Sequence, residues 1–197
     1  MTIFRRIMTQ HYPIKFLDKS NEKLTKEELD DVMKQTHGLK YIRGNFLDYI
    51  IQTELMINIL IEDFMLHKNL KLGRVFRESI LNNKDVTFKQ RIDLLLEIIK
   101  EKKMLEDSDL KLLNGNLDLL RNARNRWAHG MIHLEQEREG NGMKYQSYLN
   151  YINSDGKENN DMLTNSYFDD LTERFISVQK ILVKILLKRK ILPKDYL

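Results

Sequence analysis

Cysteine is absent from the 197-residue chain, which excludes disulfides, thiolate nucleophiles and zinc sites built on cysteine. The chain has only two prolines and eight glycines. Because residues that break helices are scarce, the composition favours long helices over a β fold with many turns. The most apolar stretch, residues 50–65, contains Glu54, Glu62 and Asp63, so no membrane span is predicted.

The N-terminal residues and the overall charge narrow the class of protein further. The first ten residues contain arginines without a following apolar core, unlike a secretory signal peptide, so a cytoplasmic location is expected. The net charge is +4 and the isoelectric point is about 9.1. This mild excess is compatible with a polyanionic partner but does not require one.

Apolar residues at helical spacing predict most of the chain to be helical. Thr25 and Glu28 form a capping-box pattern, so residues 1–38 are interpreted as an N-terminal arm followed by a short helix that ends at Gly38. Residues 39–197 are interpreted as one helical domain. Within it the pattern predicts a long helix over about 39–68, a short one over 73–81, and another from Thr87 to about Lys103.

The next predicted helix begins at Asp107 or Ser108 and ends before Gly130, which is expected to be a left-handed glycine at the C′ position. Its apolar seam has alternating steps of three and four residues and consists of Leu110, Leu113, Leu117, Leu120, Arg124 and Trp127. An arginine therefore occupies a position where leucine is expected.

A β-hairpin is predicted over about 131–152, because two strand-like segments surround a glycine-rich turn at 140–142. A polar loop over 154–160 follows. The last helix is expected to be capped by Asn165 or Ser166. The predicted fold class is all-α, a helical bundle with a β-hairpin inserted before the last helix.

The segment Arg124–His129 is the strongest candidate for a functional site. Asn125 and His129 lie four residues apart and share a helix face. Carbonyl groups at the helix end favour a protonated His129, whereas nearby arginines oppose it, and an imidazole balanced in this way can transfer protons near neutral pH. A guanidinium group suits a phosphate, so Arg124 and His129 together could cleave RNA by internal transesterification.

This chemistry needs no metal or cofactor, and none is expected, because the other histidines lack the spacing of metal ligands. Arg121 and Arg126 flank the segment and could bind the RNA backbone. The alternatives are structural: His129 could be a solvated helix cap, Arg124 could pair with Glu54 or Glu62, and the flanking arginines could be ordinary surface charge.

The segment Arg124–His129 resembles the R-x4-6-H motif of the HEPN superfamily (higher eukaryotes and prokaryotes nucleotide-binding domains), with four residues between arginine and histidine. The resemblance covers about 39–187, with the hairpin as an insertion, and residues 87–95 are similar to the helix start that often precedes the motif helix. In related toxins a tyrosine commonly stands two residues after the histidine. Here that position is Met131, so regulation by modification of such a tyrosine is not expected.

The resemblance implies a metal-independent endoribonuclease, possessing Arg124 and His129 as catalytic residues and Asn125 as a supporting residue. Many such proteins are toxins or antiviral effectors. The resemblance also implies that RNA is a partner and that the chain forms a homodimer through the motif helix. A separately encoded antitoxin or regulatory partner is possible. Other members of the superfamily are non-catalytic interaction or nucleotide-binding modules, and this is the alternative function.

Overall fold

The computed structural model describes residues 4–7, 14–18, 25–66, 70–139, 142–153 and 155–191. Most of these residues are helical, as predicted. The α-helices are α1 (Lys26–Leu66), α2 (Leu70–Phe76), α3 (Phe88–Glu101), α4 (Asp107–His129) and α5 (Asn165–Lys188), and a π-helical turn (Arg77–Leu81) follows α2. The strands are β1 (Phe4–Ile7), β2 (Ile14–Asp18), β3 (Met131–Glu139), β4 (Gly142–Ile152) and β5 (Glu158–Met162).

The chain forms two compact units, each assembled from two separated segments. The first unit combines Met1–Leu47 with Ala123–Asp170, and the second combines Asp48–Asn122 with Leu171–Leu197. Helices α1, α4 and α5 therefore each contribute residues to both units.

The first unit contains the sheet, in the strand order β1-β2-β3-β4-β5. Strands β3, β4 and β5 are antiparallel neighbours, and the register of the predicted hairpin places Glu139 opposite Gly142. Strand β2 is parallel to β3, with Ile14 opposite Ile132. The core residues on β3 and β4 alternate with more exposed ones, as expected for a sheet with one covered face, and are Ile132, Leu134 and Leu149.

The sheet is larger than the predicted hairpin. The interpretation of residues 1–38 as an arm overlooked β1 and β2, because parallel pairing with a strand more than a hundred residues away leaves no local sequence pattern. The polar loop predicted over 154–160 is wrong at its end, where β5 begins at Glu158. This strand is polar and mostly exposed, so alternation of apolar residues could not reveal it.

The short helix ending at Gly38 is also wrong, since α1 continues through Gly38 to Leu66. The capping box at its start is confirmed: the Thr25 amide donates to Glu28 Oε2 at 2.7 Å, and the Glu28 amide donates to Thr25 Oγ1 at 3.2 Å. One glycine in a helix costs about 1 kcal/mol. Burial of Val32 and Leu39 on the same helix outweighs that cost.

The second unit has an apolar core that the helical periodicity predicted well. Its buried residues include Ile50, Ile57, Leu60, Ile61, Phe64, Ile92, Leu95, Ile99, Leu113, Leu117, Val178, Leu182 and Ile185. Two acidic residues of α1 meet arginines in this unit: Glu54 accepts from Arg91 at 2.9 Å, and Glu62 accepts from Arg77 Nε at 2.8 Å.

The cap of α5 is Thr164 rather than Asn165 or Ser166, because Thr164 Oγ1 accepts from the backbone amide at position 167.

Candidate functional site

The end of α4 is anchored in the first unit by Trp127, which is fully buried. Its ring centroid lies 5.6 Å from that of Phe46 and 6.0 Å from that of Phe168. The indole Nε1 donates to the hydroxyl of Tyr167 at 3.0 Å, which satisfies the one polar group of the buried ring. The last two turns of α4 are therefore held in one position by an aromatic cluster.

A second anchor is Arg43 of α1, whose side chain is only 3% exposed. Its Nη2 donates to the Ala128 carbonyl oxygen at 3.0 Å, and its Nη1 donates to the Gly130 carbonyl oxygen at 3.3 Å. Carbonyl groups at a helix C-terminus lack partners within the helix. A buried guanidinium thus binds the two carbonyl groups that flank His129.

Gly130 ends α4 for a different reason from the one the sequence suggested. Its backbone is not left-handed, so it is not the expected C′ glycine. Instead, a Cβ atom at this position would lie 2.9 Å from both the Asn150 carbonyl oxygen and Leu149 Cδ1 of β4. Only glycine fits where the chain passes this close to the strand and turns into β3.

Arg124, Asn125 and His129 lie in the last two turns of α4. His129 and Asn125 are exposed, and Arg124 is half-buried. Asn125 Oδ1 accepts a hydrogen bond from Arg124 Nη1 at 3.2 Å. Asn125 also lies one helical turn before His129 and shares a helix face with it.

The placement of Arg124 on the apolar seam is corrected by the structure. Ala123, which is 3% exposed, takes the buried position between Leu120 and Trp127, and Arg124 lies beside it. Residues five apart on an α-helix differ in direction by about 140°, so Arg124 and His129 leave the helix on different sides. Within one chain, the guanidinium can approach the imidazole only through the length of the arginine side chain and its hydrogen bond to Asn125.

Arg126 is part of a polar cluster with β4 and β5. Its Nη1 donates to Asp161 Oδ2 at 2.7 Å, and its guanidinium carbon lies 5.1 Å from the Tyr151 ring centroid. Burial lowers the pKa of Arg126, but the hydrogen bond and charge of Asp161 outweigh burial and raise it. Since Asp161 neutralises its charge, Arg126 is better suited to holding the helix end than to binding an RNA phosphate.

Arg121 lies in the second unit and is also engaged, with Nη1 3.2 Å from Asp118 Oδ1 and Nη2 donating to Asn122 Oδ1 at 3.2 Å. Its role in RNA binding stays a prediction. Among the residues that the structure describes, no three histidine, aspartate or glutamate side chains are grouped so that they could hold a metal ion.

Arg43 and Asp161 are the residues of this region that sequence reasoning missed. A signal for Arg43 was present, because Leu39, Arg43, Phe46 and Ile50 repeat at steps of four and three on one face of α1. Asp161 had none, since its strand is polar and its partner Arg126 is 35 residues away.

Within the described ranges, no helix has both the length and the apolar character needed to cross a bilayer. Comparison of the sequence with models of protein families, with curated proteins and with solved structures finds no match. A function must therefore be argued from the residues at the end of α4 themselves.

Proposed function

We propose that the protein is a metal-independent endoribonuclease of the HEPN type, with Arg124 and His129 as its catalytic residues. The observation that carries the proposal is the accessible group at the end of α4, in which Asn125 accepts a hydrogen bond from Arg124 and shares a face with exposed His129. The mostly helical fold agrees with the resemblance. The buried contacts of Arg43 and Trp127 give the catalytic group a fixed support, which catalysis requires.

In the proposed reaction His129 accepts the proton of a ribose 2′-hydroxyl, and the 2′-oxygen attacks the adjacent phosphorus atom. Arg124 stabilises the negative charge that develops on the phosphoryl oxygens. The bond to the 5′-oxygen breaks, and that oxygen leaves with a proton from an acid. The products are a 2′,3′-cyclic phosphate and a 5′-hydroxyl, and no water or metal is consumed.

A homodimer formed through α4 could bring an arginine and a histidine together, which a single helix does not do. The two side chains leave a single helix in directions about 140° apart, which makes a shared site attractive. In a two-fold dimer, Arg124 of one subunit can face His129 of the other.

The activity is tested by incubating the purified protein with single-stranded RNA in EDTA. We expect wild type to cleave and His129→Ala to lose about 10²–10⁴-fold in rate, the usual contribution of an acid–base catalyst. His37→Ala is the matched control, since His37 is also an exposed helical histidine, on α1. Wild-type cleavage that is abolished by EDTA, or that survives in His129→Ala, contradicts the proposal. Absence of cleavage by every variant instead supports a non-catalytic interaction or nucleotide-binding module.

The shared site is tested by mixing two inactive variants, Arg124→Ala and His129→Ala. If each site combines residues from two subunits, subunit exchange restores about a quarter of wild-type activity, because half of the dimers are mixed and each has one complete site. If each site lies within one chain, mixing restores nothing. Sedimentation of the wild-type protein checks the dimer independently.

A further inference from the structure

Helices α3 and α5 of the second unit end in the same unusual way. Each ends in a Schellman motif: the Met104 amide donates to the Ile99 carbonyl oxygen, and the Ile191 amide donates to the Leu186 carbonyl oxygen, both at 3.0 Å. The C′ residue of such a motif is left-handed and is usually glycine. Here it is lysine both times, with φ of 48° at Lys103 and 56° at Lys190.

A lysine in this conformation carries a steric cost that glycine does not. Part of that cost is offset because a cation at a helix C-terminus interacts favourably with the helix dipole. The dipole does not by itself require lysine at C′, since Lys102 and Lys188 already place cations in the last residues of the same two helices. A second lysine at the strained position therefore indicates a use for its charge.

The two helix ends lie side by side, because Lys188 Nζ donates to the Met104 carbonyl oxygen at 3.3 Å. This contact brings together four exposed lysines, which we call the lysine cluster: Lys102, Lys103, Lys188 and Lys190. In the described part of the chain none of their ammonium groups forms an ion pair with a carboxylate. The neighbouring Arg189 differs, because its charge is taken up by Asp63 at 2.6 Å.

The acidic residues beside the cluster do not cancel its charge. Glu101, Glu106 and Asp107 are exposed on either side of Met104, so four lysines lie beside three carboxylates. Exposed ammonium groups spread over two neighbouring helix ends suit an extended chain of phosphates better than a single small anion.

We propose that the lysine cluster binds the phosphate backbone of single-stranded RNA without reading its sequence. The choice of RNA among polyanions rests on the proposed function, whereas the charge of the cluster does not. The cluster increases the residence of RNA on the protein, and the chemistry stays with Arg124 and His129.

The test measures binding of a fluorescent, unstructured single-stranded RNA by anisotropy at several salt concentrations. The protein carries His129→Ala, so that RNA stays intact and the outcome does not depend on cleavage. In the double variant Lys103→Gly/Lys190→Gly we expect Kd to rise about 2- to 25-fold, the effect of losing two exposed charge contacts. The slope of log K against log salt should decrease by about 1.4, since each phosphate contact on a single strand contributes about 0.7.

Thermal unfolding of the same variant separates binding from a structural role. Glycine relieves the left-handed lysines, so we expect Tm to stay the same or rise while RNA binding weakens. Lys103→Arg/Lys190→Arg should keep RNA affinity, and Lys84→Ala, which removes an exposed lysine from a turn, should leave affinity and salt slope unchanged.

Three results would overturn the proposal. A lower Tm with unchanged RNA affinity assigns the lysines to the helix dipole. If the double variant loses no more RNA affinity than Lys84→Ala does, the two lysines are ordinary surface charge. Weakened binding to vesicles containing phosphatidylserine, with RNA binding retained, assigns the cluster to a membrane surface instead.

Discussion

Replacement of the buried Arg43 should destabilise the protein more than replacement of an exposed arginine. Arg43→Met removes two hydrogen bonds from a charged donor to the carbonyl oxygens of Ala128 and Gly130. Each such bond contributes about 1.5–3 kcal/mol, or roughly 3–6 kcal/mol together. Methionine fills much of the same space and avoids the desolvation cost of a buried guanidinium, which returns part of that loss. We therefore expect the free energy of unfolding to decrease by about 3 kcal/mol, equivalent to a fall in Tm of roughly 6–12 °C.

Urea unfolding followed by tryptophan fluorescence measures this difference directly. The chain has a single tryptophan, Trp127, which is fully buried in the native state. Arg74→Met is the matched control, because Arg74 is an exposed arginine in an ion pair with Glu78 and should cost at most about 0.5 kcal/mol. Arg43→Lys should fall between the two, since one ammonium cannot reach both carbonyl groups as a guanidinium does. Equal stability of Arg43→Met and Arg74→Met would refute the reasoning.

Two further predictions concern the same unit. Gly130→Ala should lower the unfolding free energy by about 1–3 kcal/mol in urea, because its Cβ would lie 2.9 Å from the Asn150 carbonyl oxygen; an unchanged midpoint would contradict this. Burial raises the pKa of Tyr145, Tyr151 and Tyr167, so the unfolded chain loses these protons first, near pH 10. Their contribution to stability is complete below that pH and decreases as pH rises through the native pKa values; urea midpoints constant above pH 10 would argue against it.

Helices were the part of the fold that the sequence predicted best. The predicted bounds of α4 agree with the observed Asp107–His129, and the apolar faces of α3 and α5 are largely buried. The reason is that helical periodicity and capping are local properties that a single segment reveals. The error at Gly38 shows the limit of this reasoning, since a glycine predicts a helix end only where tertiary packing does not extend the helix.

The sheet was predicted only in part because its pairing is mostly not local. The hairpin of β3 and β4 is contiguous in sequence and was found. The parallel pair of β2 and β3 joins positions 14–18 to 132–136, and no property of either segment alone specifies the partner. Strand β5 is recognisable only through its hydrogen bonds with β4, for example where Asp161 lies opposite Leu149.

At the candidate site, the sequence correctly predicted a buried arginine on an apolar helix face, but on α4 rather than on α1. An arginine on an apolar seam does indicate a buried guanidinium with a specific partner. In α4, however, Ala123 takes the buried position next to Arg124, whereas on the seam of α1 it is Arg43 that is buried. Arg43 binds the carbonyl groups of residues 128 and 130, so the residue between them, His129, has its backbone fixed on both sides. If the end of the helix were not held by such contacts, the imidazole would have no fixed position. A proton donor or acceptor must be held within hydrogen-bond reach of its substrate. The arginine that the sequence did not single out is thus the one that gives the singled-out histidine a defined position.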